Sequence, residues 1–240
     1  MIKILYFNQF ENTYIYGKIK LVIDMQERIY ELNKYIDFTL LDPRATIFDL
    51  EKLCNIAYKN QYYSVCVNPT AVSFVKGYIL KNLSNEIKVC SVVGFPLGAS
   101  VIDVKCVEAK QAISDGADEI DFVINIAKLK ENDLGYLKSE LSQMRKVTKN
   151  HILKCIIETA YLTENEIIKI CKLCAKCKVD YVKTSTGFAT SGAKINDVKI
   201  MLNAVEGKCQ IKASGGIRSR ESAIEFLNLG VSRIGTSRVL

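Results

Sequence analysis

"YVKTSTGFATSGAKINDVKIMLNAVEGKCQIKASG", residues 181–215, contains one complete supersecondary unit. Its two ends, Tyr181–Thr186 and Cys209–Gly215, are short apolar runs that predict buried strands. Between them, Lys194–Val205 places apolar residues three and four positions apart, which is the period of an amphipathic helix. A strand, a helix and a second strand in this order predict a βαβ unit, whose two strands are parallel.

The same unit repeats in both directions along the chain. The other predicted strands are Tyr35–Leu41, Tyr62–Asn68, Ile87–Phe95, Glu119–Asn125, Ile152–Thr159 and Ser232–Ser237. Amphipathic helical patterns separate them, and the strands are nearly continuous in apolar character, as parallel strands covered by helices are. Eight such units predict an α/β fold, the (β/α)8 TIM barrel; an open doubly wound sheet is the alternative.

The two ends of the chain depart from a plain barrel. Leu21–Tyr35 predicts an extra N-terminal helix, whereas the eighth helix is missing because only three residues follow the last predicted strand. Residues 1–19 are an N-terminal segment of unclear role, and residues 20–240 are predicted to form a single barrel domain. Without the eighth helix, the outward-facing Ile36 and Ile234 are expected to meet water, which would make the chain fragile. The chain is therefore predicted to aggregate, to associate through that edge, or to cover the edge with its N-terminal segment.

The composition is that of a globular protein. Of the 240 residues, 49% are hydrophobic and 25% are charged. The net charge is +7, but the basic residues are scattered without a nucleic-acid motif, so an anionic metabolite is the simpler partner. No secretory signal or membrane-spanning run is readable, and the nine cysteines lie inside apolar patterns. We therefore expect a cytoplasmic protein with no nucleic-acid and no membrane partner.

Charged residues interrupt strands that are otherwise apolar. Lys183 and Lys212 lie in the sixth and seventh strands, and Asp121 lies in the fourth. Side chains alternate between the faces of a strand, which directs these three into the barrel. Two neighbouring ammonium groups repel each other, so one amine is expected to be neutral and able to attack a carbonyl carbon. The pattern predicts a Schiff base on Lys183 or Lys212; a buried ion pair without a catalytic role is the competing interpretation. Further polar residues in the predicted strands are Asp37, Thr39, Glu119, Asn125, Lys154 and Glu158.

Small residues follow three consecutive strands, in the turns "TSTG", "SGGIR" and "GTS". Backbone N–H groups in such turns can approach an anion closely, and the loops after strands seven and eight are the recurring phosphate site of these barrels. The turns predict a phosphate site, to which Arg218 or Arg238 could add charge. The alternative is that the glycines only make tight turns.

A metal site is poorly supported. His151 is the only histidine, and it precedes a strand rather than following one. Cys171, Cys174 and Cys177 have a C-x2-C-x2-C spacing that occurs in iron–sulfur sites, but they lie in a helical pattern with apolar neighbours. No fourth ligand accompanies them, so we expect core cysteines and no metal site.

Seven segments resemble the deoxyribose-phosphate aldolases, a family of class I aldolases. In chain order they are "SVCVNP", "VVGFPLGA", "GADEIDFVINI", "LKCIIETAYLT", "DYVKTSTGF", "KASGGIR" and "RIGTS". The resemblance implies reversible cleavage of 2-deoxy-D-ribose 5-phosphate to D-glyceraldehyde 3-phosphate and acetaldehyde, without a cofactor. It implies that Lys183 forms the Schiff base, that Lys212 lowers the pKa of Lys183 and moves protons, and that Asp121 is the carboxylate of the proton relay. The phosphate-binding positions that it implies are Gly187, Gly215, Gly216, Gly235 and Ser237.

The chain departs from the pattern of that family in places. Phe38 stands where many members carry His, Asp42 where they carry Lys, and Arg238 where a serine is expected. The expected partners are a small phosphorylated sugar and, in a homodimer, a second copy of the chain. Two alternatives remain: another Schiff-base barrel, such as a transaldolase-like or hexose-phosphate aldolase, and a catalytically inactive barrel that only binds.

Overall fold

Eight parallel strands close into a barrel. The computed structural model describes residues 31–83 and 87–240, and residues 33–240 form one compact unit. The strands are Ile36–Leu40 (β1), Ser64–Val67 (β2), Lys88–Val93 (β3), Glu119–Val123 (β4), Ile152–Ile156 (β5), Tyr181–Lys183 (β6), Gln210–Ser214 (β7) and Arg233–Thr236 (β8). Each strand pairs with the next along the chain, and β8 pairs with β1. The predicted TIM barrel is confirmed, and the alternative of an open sheet is wrong.

Helices connect the strands and cover the outside of the barrel. They are Ile47–Lys59 (α1), Val72–Asn82 (α2), Ile102–Ser114 (α3), Ile126–Lys130 (α4), Leu134–Val147 (α5), Glu164–Lys176 (α6), Ile195–Val205 (α7) and Arg220–Leu229 (α8). Thr46 and Thr163 begin α1 and α6 with capping boxes. In each box the threonine hydroxyl accepts a hydrogen bond from a backbone N–H of the first turn, and the carboxylate of Asp49 or Glu166 accepts one from the backbone N–H of the threonine. None of the described helices is long and apolar enough to cross a membrane.

The strand register places charged residues side by side. Asp121 of β4 pairs with Lys154 of β5, and Lys183 of β6 pairs with Lys212 of β7. Because paired residues on parallel strands point to the same face of the sheet, all four side chains enter the barrel interior. The register therefore explains how residues far apart in sequence come together.

The predicted N-terminal helix lies largely outside the described residues. Its last part, Leu32–Tyr35, forms a 3₁₀ turn rather than an α-helix. The predicted domain boundary at residue 20 also lies outside the described residues and stays a prediction.

The outer face of β1 and β8 is not exposed. No helix follows β8 in the described chain, as predicted, but Ile36 and Ile234 are both fully buried. The expectation that these two side chains meet water is therefore wrong, while the predicted cover by the N-terminal segment lies outside the described residues and stays a prediction. Two helices pack against these strands: α1 packs against β1, and α8 packs against β8.

Candidate active site

A network of charged side chains fills the barrel interior. Asp37, Glu119, Asp121, Lys154, Lys183, Lys212 and Arg233 contact one another there, and we call these seven residues the interior ion network. They come from six different strands, and none of the seven side chains is more than 5% exposed. Charges are costly to bury unless they are paired, so this concentration indicates a function.

Asp121 lies at the centre of the network. Its Oδ2 accepts hydrogen bonds from Lys183 Nζ and Lys212 Nζ, each at 2.8 Å, and its Oδ1 accepts one from Lys154 Nζ at 2.7 Å. Burial alone would raise the pKa of Asp121, but the three ammonium groups outweigh burial and hold that pKa well below its usual value. Asp121 is therefore a carboxylate that joins the two lysines singled out in the sequence.

Lys212 carries a proton. Its Nζ lies 2.5 Å from Asp37 Oδ2 in addition to its contact with Asp121. Burial would lower the pKa of Lys212, but the two carboxylates outweigh burial and raise that pKa above its ordinary value. Lys212 can donate a proton, and Lys183 is the member of the pair left to act as a nucleophile.

Gly235 makes room for Lys212. A Cβ atom at this position would lie 3.2 Å from Lys212 Cε and 2.8 Å from Ser214 Cβ. Real Cβ atoms essentially never come as close as 2.8 Å, so a larger residue would displace Ser214 and would also crowd Lys212. The glycine singled out for phosphate binding thus also shapes the lysine pair.

Lys154 and Arg233 belong to the network but were given no role on sequence grounds. Lys154 Nζ lies 2.5 Å from Glu119 Oε2, and Arg233 lies 2.8 Å from Asp37 Oδ1 with its guanidinium 3.7 Å from the centre of the Tyr63 ring. Both groups balance the carboxylates that hold Lys212. The inward alternation that selected Lys183 also selects Lys154 and Arg233, and it could have found them.

A cavity of about 680 Å³ opens at the carboxyl ends of β1, β6, β7 and β8. Lys183 lines it, together with residues from the turns after these strands. The five positions expected to bind phosphate all line it: Gly187, Gly215, Gly216, Gly235 and Ser237. Arg218 lines the cavity, whereas Arg238 is exposed and is not part of its wall.

The turns beside the cavity present unused backbone donors. Among the described residues, the N–H groups of Gly187, Gly215, Gly216 and Ser237 donate no hydrogen bond. The three glycines have positive φ angles of 88°, 83° and 77°, which residues with a side chain adopt only at a cost. Free N–H groups in such turns are typical of anion sites.

Gly192 was missed in the sequence. A Cβ atom at Gly192 would lie 2.0 Å from the carbonyl oxygen of Gly215, so the turns after β6 and β7 touch through glycine alone. Ala193 N holds the same contact by donating to the carbonyl oxygens of Ser214 and Gly215, each at 3.1 Å. Nothing in the local sequence pattern signals an approach between two distant turns.

Glu158 contacts the turn after β6. Its carboxylate accepts hydrogen bonds from the backbone N–H and from the hydroxyl of Thr186, a residue that lines the cavity. Burial raises the pKa of Glu158, while the hydrogen bonds from Thr186 and the charge of Lys183 oppose that shift. Glu158 was noted as a polar residue of the fifth strand, but not as part of the site.

A metal ion does not suit this interior. The ligand atoms of Cys66, Cys90 and Asp121 lie within 4.8 Å of one another. However, Lys154 Nζ is 3.4 Å from Cys90 Sγ and 2.7 Å from Asp121, so a metal cation would face an ammonium group. The expectation that the protein needs no cofactor stays a prediction.

Two of the three cysteines of the C-x2-C-x2-C spacing are core residues, as expected. Cys171 and Cys174 are fully buried on α6 and pack as small apolar side chains. Cys177 follows the last residue of that helix and is only partly buried, so the expectation of a core cysteine is wrong there. All three are free thiols.

Comparisons with known proteins agree with this geometry. The family model described as DeoC/LacD family aldolase matches residues 31–235. The chain is 53% identical to a deoxyribose-phosphate aldolase of Finegoldia magna over 86% of this chain and 96% of that protein, and 48% identical to one of Thermococcus kodakarensis over 86% and 93%. It also superimposes on the deoxyribose phosphate aldolase of Aeropyrum pernix, whose structure is described as a unique tetramer, with a TM-score of 0.82, 30% identity and coverage of 91% and 92%. The chain therefore belongs to the DeoC/LacD family of aldolases.

Proposed function

We propose that this aldolase cleaves 2-deoxy-D-ribose 5-phosphate reversibly to D-glyceraldehyde 3-phosphate and acetaldehyde, through a Schiff base on Lys183. The observation that carries the proposal is the position of Lys183. Lys183 lines the cavity, and its amine donates a hydrogen bond to the same carboxylate oxygen as the protonated Lys212. The relatives that are about half identical are deoxyribose-phosphate aldolases, which supports the choice of substrate.

Lys183 forms and resolves the covalent intermediate. In its neutral form the Lys183 amine attacks the aldehyde carbon, and the new hydroxyl leaves as water with one proton from the pair Asp121 and Lys212, which gives an iminium ion. The hydroxyl at C3 then returns a proton to that pair, directly or through water, the bond between C2 and C3 breaks, and the electron pair moves into the iminium to form an enamine. D-glyceraldehyde 3-phosphate leaves at this step.

Asp121 and Lys212 handle the protons. The enamine carbon takes up one proton, which regenerates an iminium ion, and water then hydrolyses it to acetaldehyde and free Lys183. Lys212 carries a proton and Asp121 contacts both lysines, so together they can deliver it, directly or through water. No redox step occurs. The water molecule released when the iminium forms is balanced by the water molecule consumed when the final iminium is hydrolysed.

The phosphate of the sugar occupies the glycine turns. The unused N–H groups of Gly187, Gly215, Gly216 and Ser237 supply donors, and Arg218 adds a positive charge at the cavity wall. A substrate phosphate held there would keep its aldehyde end free to reach Lys183. Binding energy from this remote group would orient the sugar for cleavage.

The setting of the reaction is also a proposal. Nine free cysteines suit a reducing compartment such as the cytoplasm. The tetramer described for the Aeropyrum pernix protein makes self-association of this chain worth testing, with a homodimer as the simplest case.

A cleavage assay on the purified chain tests the function. Incubation with 2-deoxy-D-ribose 5-phosphate should release acetaldehyde and D-glyceraldehyde 3-phosphate, and both products should condense in the reverse direction. Cleavage of a hexose phosphate in preference would favour another Schiff-base aldolase. No turnover with any sugar phosphate, and no borohydride-trapped adduct, would favour the inactive barrel.

A further inference from the structure

Glu158 lies two residues after β5, before a 3₁₀ turn at Thr159–Tyr161, in an unusual backbone conformation. Its φ and ψ angles are 52° and 70°, in the left-handed region that residues with a Cβ atom adopt infrequently. Such strain persists only where the surroundings enforce it, and it concentrates at functional sites. A glycine would adopt these angles more easily, so the glutamate at this position points to a use for its side chain.

The carboxylate of Glu158 forms its hydrogen bonds with one residue, Thr186. Thr186 N donates to both of its oxygens, at 3.3 and 3.2 Å, and the Thr186 hydroxyl donates to Oε2. Glu158 is only 2% exposed, and within the described residues these are the hydrogen bonds of its carboxylate. Burying a carboxylate without a bonded cation costs free energy. The hydrogen bonds from Thr186 offset part of that cost, so Glu158 and Thr186 are expected to stay in contact.

The contact extends to the next two residues. The Thr186 hydroxyl accepts a hydrogen bond from Phe188 N at 3.0 Å, which closes a tight turn around Gly187. Gly187 lines the cavity, and its own N–H donates no hydrogen bond to the described residues. The direction of that free N–H is therefore set by Thr186 and Phe188.

We propose that Glu158 is a positioning residue for the phosphate site: by holding Thr186 it fixes the turn in which the Gly187 N–H faces the cavity and donates to the substrate phosphate. This inference rests on the proposed function in assuming that the turn after β6 binds phosphate. It assigns Glu158 no contact with the substrate. The residue acts through Thr186 and Gly187.

Glu158→Gln tests the proposal. Glutamine keeps the shape of glutamate, but it has one acceptor oxygen instead of two and carries no negative charge, so its hydrogen bonds with Thr186 should be weaker. We expect the ratio of kcat/KM for 2-deoxy-D-ribose 5-phosphate to that for 2-deoxy-D-ribose to fall about tenfold, the loss typical of one charge-assisted hydrogen bond. Most of the change should be in KM for the phosphorylated sugar. Binding of inorganic phosphate to the full chain, measured by calorimetry, should weaken by a similar factor.

Glu166→Gln is the matched control. Glu166 accepts from the N–H and the hydroxyl of Thr163 at 2.7 and 2.9 Å, the same pair of contacts made by Glu158, but at the start of α6 and away from the cavity wall. For the Glu166→Gln variant, the ratio of kcat/KM for 2-deoxy-D-ribose 5-phosphate to that for 2-deoxy-D-ribose should match the ratio of the wild type. If Glu158→Gln folds poorly, Thr186→Val breaks the hydroxyl contact from the other side and should lower the ratio in the same way.

Two results would overturn the proposal. An equal loss of kcat/KM for both sugars would show that Glu158 only supports the fold, and an unchanged ratio and phosphate affinity would show that its carboxylate is not needed. If the wild type binds inorganic phosphate but does not cleave the sugar phosphate, the proposed function fails, and the phosphate titration still decides the role of Glu158.

Discussion

Lys183 and Lys212 donate hydrogen bonds to the same carboxylate oxygen, Oδ2 of Asp121, each from 2.8 Å. The strand register produces this geometry, because the two lysines are paired residues on β6 and β7. The two amines differ in their other surroundings. Lys212 has a second carboxylate, Asp37, whereas Lys183 lines the cavity. This difference is the basis for assigning the nucleophile.

We expect acetaldehyde and borohydride to leave a two-carbon adduct on the peptide that contains Lys183. Lys183→Ala should abolish both trapping and turnover, because no other amine of the pair lines the cavity. Lys212→Leu should still trap on Lys183 while turning over slowly. Mass spectrometry of the digested adduct decides the matter, and an adduct on Lys212 would refute the assignment.

Asp121→Asn should separate trapping from turnover. The amide cannot relay a proton, so kcat should fall by about 10²–10⁴-fold while an adduct still forms on Lys183. Removing this carboxylate also leaves the buried Lys183 without a carboxylate partner, while Lys154 and Lys212 keep Glu119 and Asp37, and the loss should cost about 3–5 kcal/mol of stability. Urea unfolding measures the second effect. A variant as active as the wild type would remove Asp121 from the mechanism.

Gly235→Ala should damage both stability and activity. The new Cβ would lie 2.8 Å from Ser214 Cβ and 3.2 Å from Lys212 Cε, and relief of this overlap should cost about 1–3 kcal/mol. Gly77→Ala is the control, because nothing lies within 4 Å of a Cβ at Gly77 in α2. That variant should be neutral or more stable by roughly 0.5–1 kcal/mol. Equal behaviour of the two variants would contradict the packing argument.

Arg218→Ser and Arg238→Ser form a matched pair for the phosphate site. Arg218 lines the cavity, whereas Arg238 does not. We expect Arg218→Ser to raise KM for the phosphorylated sugar several-fold, and Arg238→Ser to change it little, although Arg238 stands where a serine is expected. Steady-state kinetics with both sugars checks this. A larger effect at Arg238 would mean that the last residues of the chain reach the substrate.

Acid should remove the stabilisation that Asp121 provides. Its pKa in the folded protein is well below the value of about 3.9 in an unfolded chain, so the unfolded state takes up a proton first as the pH falls. The contribution of this carboxylate is thus present above about pH 4 and is lost progressively below it. The stability difference between wild type and Asp121→Asn should shrink over that range in urea unfolding.

Asp42→Asn serves as the comparison for the acid experiment. Its hydrogen bonds with Arg44 lower the pKa of Asp42 to about 2, but the pair is exposed to solvent. Exposed ion pairs contribute little to stability, so this substitution should change the pH profile only slightly. An Asp42→Asn profile that matched that of Asp121→Asn would argue against a special role for the buried carboxylate.

Much of the barrel could be predicted because its signals are local. Strand and helix periods place β6, α7 and β7 correctly, and inward alternation brings Lys183, Lys212 and Asp121 together without knowledge of the register. The sequence could not show that Ile36 and Ile234 are buried, because cover depends on which elements pack over a face. The contact of Gly192 with Gly215, and the hold of Glu158 on Thr186, were also invisible, since each joins separate turns through space.

Counted as formal charges, the interior ion network is electrically neutral only when one of its amines has lost a proton. It holds three carboxylates, Asp37, Glu119 and Asp121, and four basic groups, Lys154, Lys183, Lys212 and Arg233. Burial would lower the pKa of Lys154, Lys212 and Arg233, but the carboxylates outweigh burial and raise it, so these three keep their protons, and the proposed mechanism assigns the neutral amine to Lys183. An iminium on Lys183 adds one positive charge to the network, whereas the nitrogen of the enamine carries none. The network is therefore one charge more positive when the carbon–carbon bond breaks, and this charge draws the departing electron pair toward Lys183.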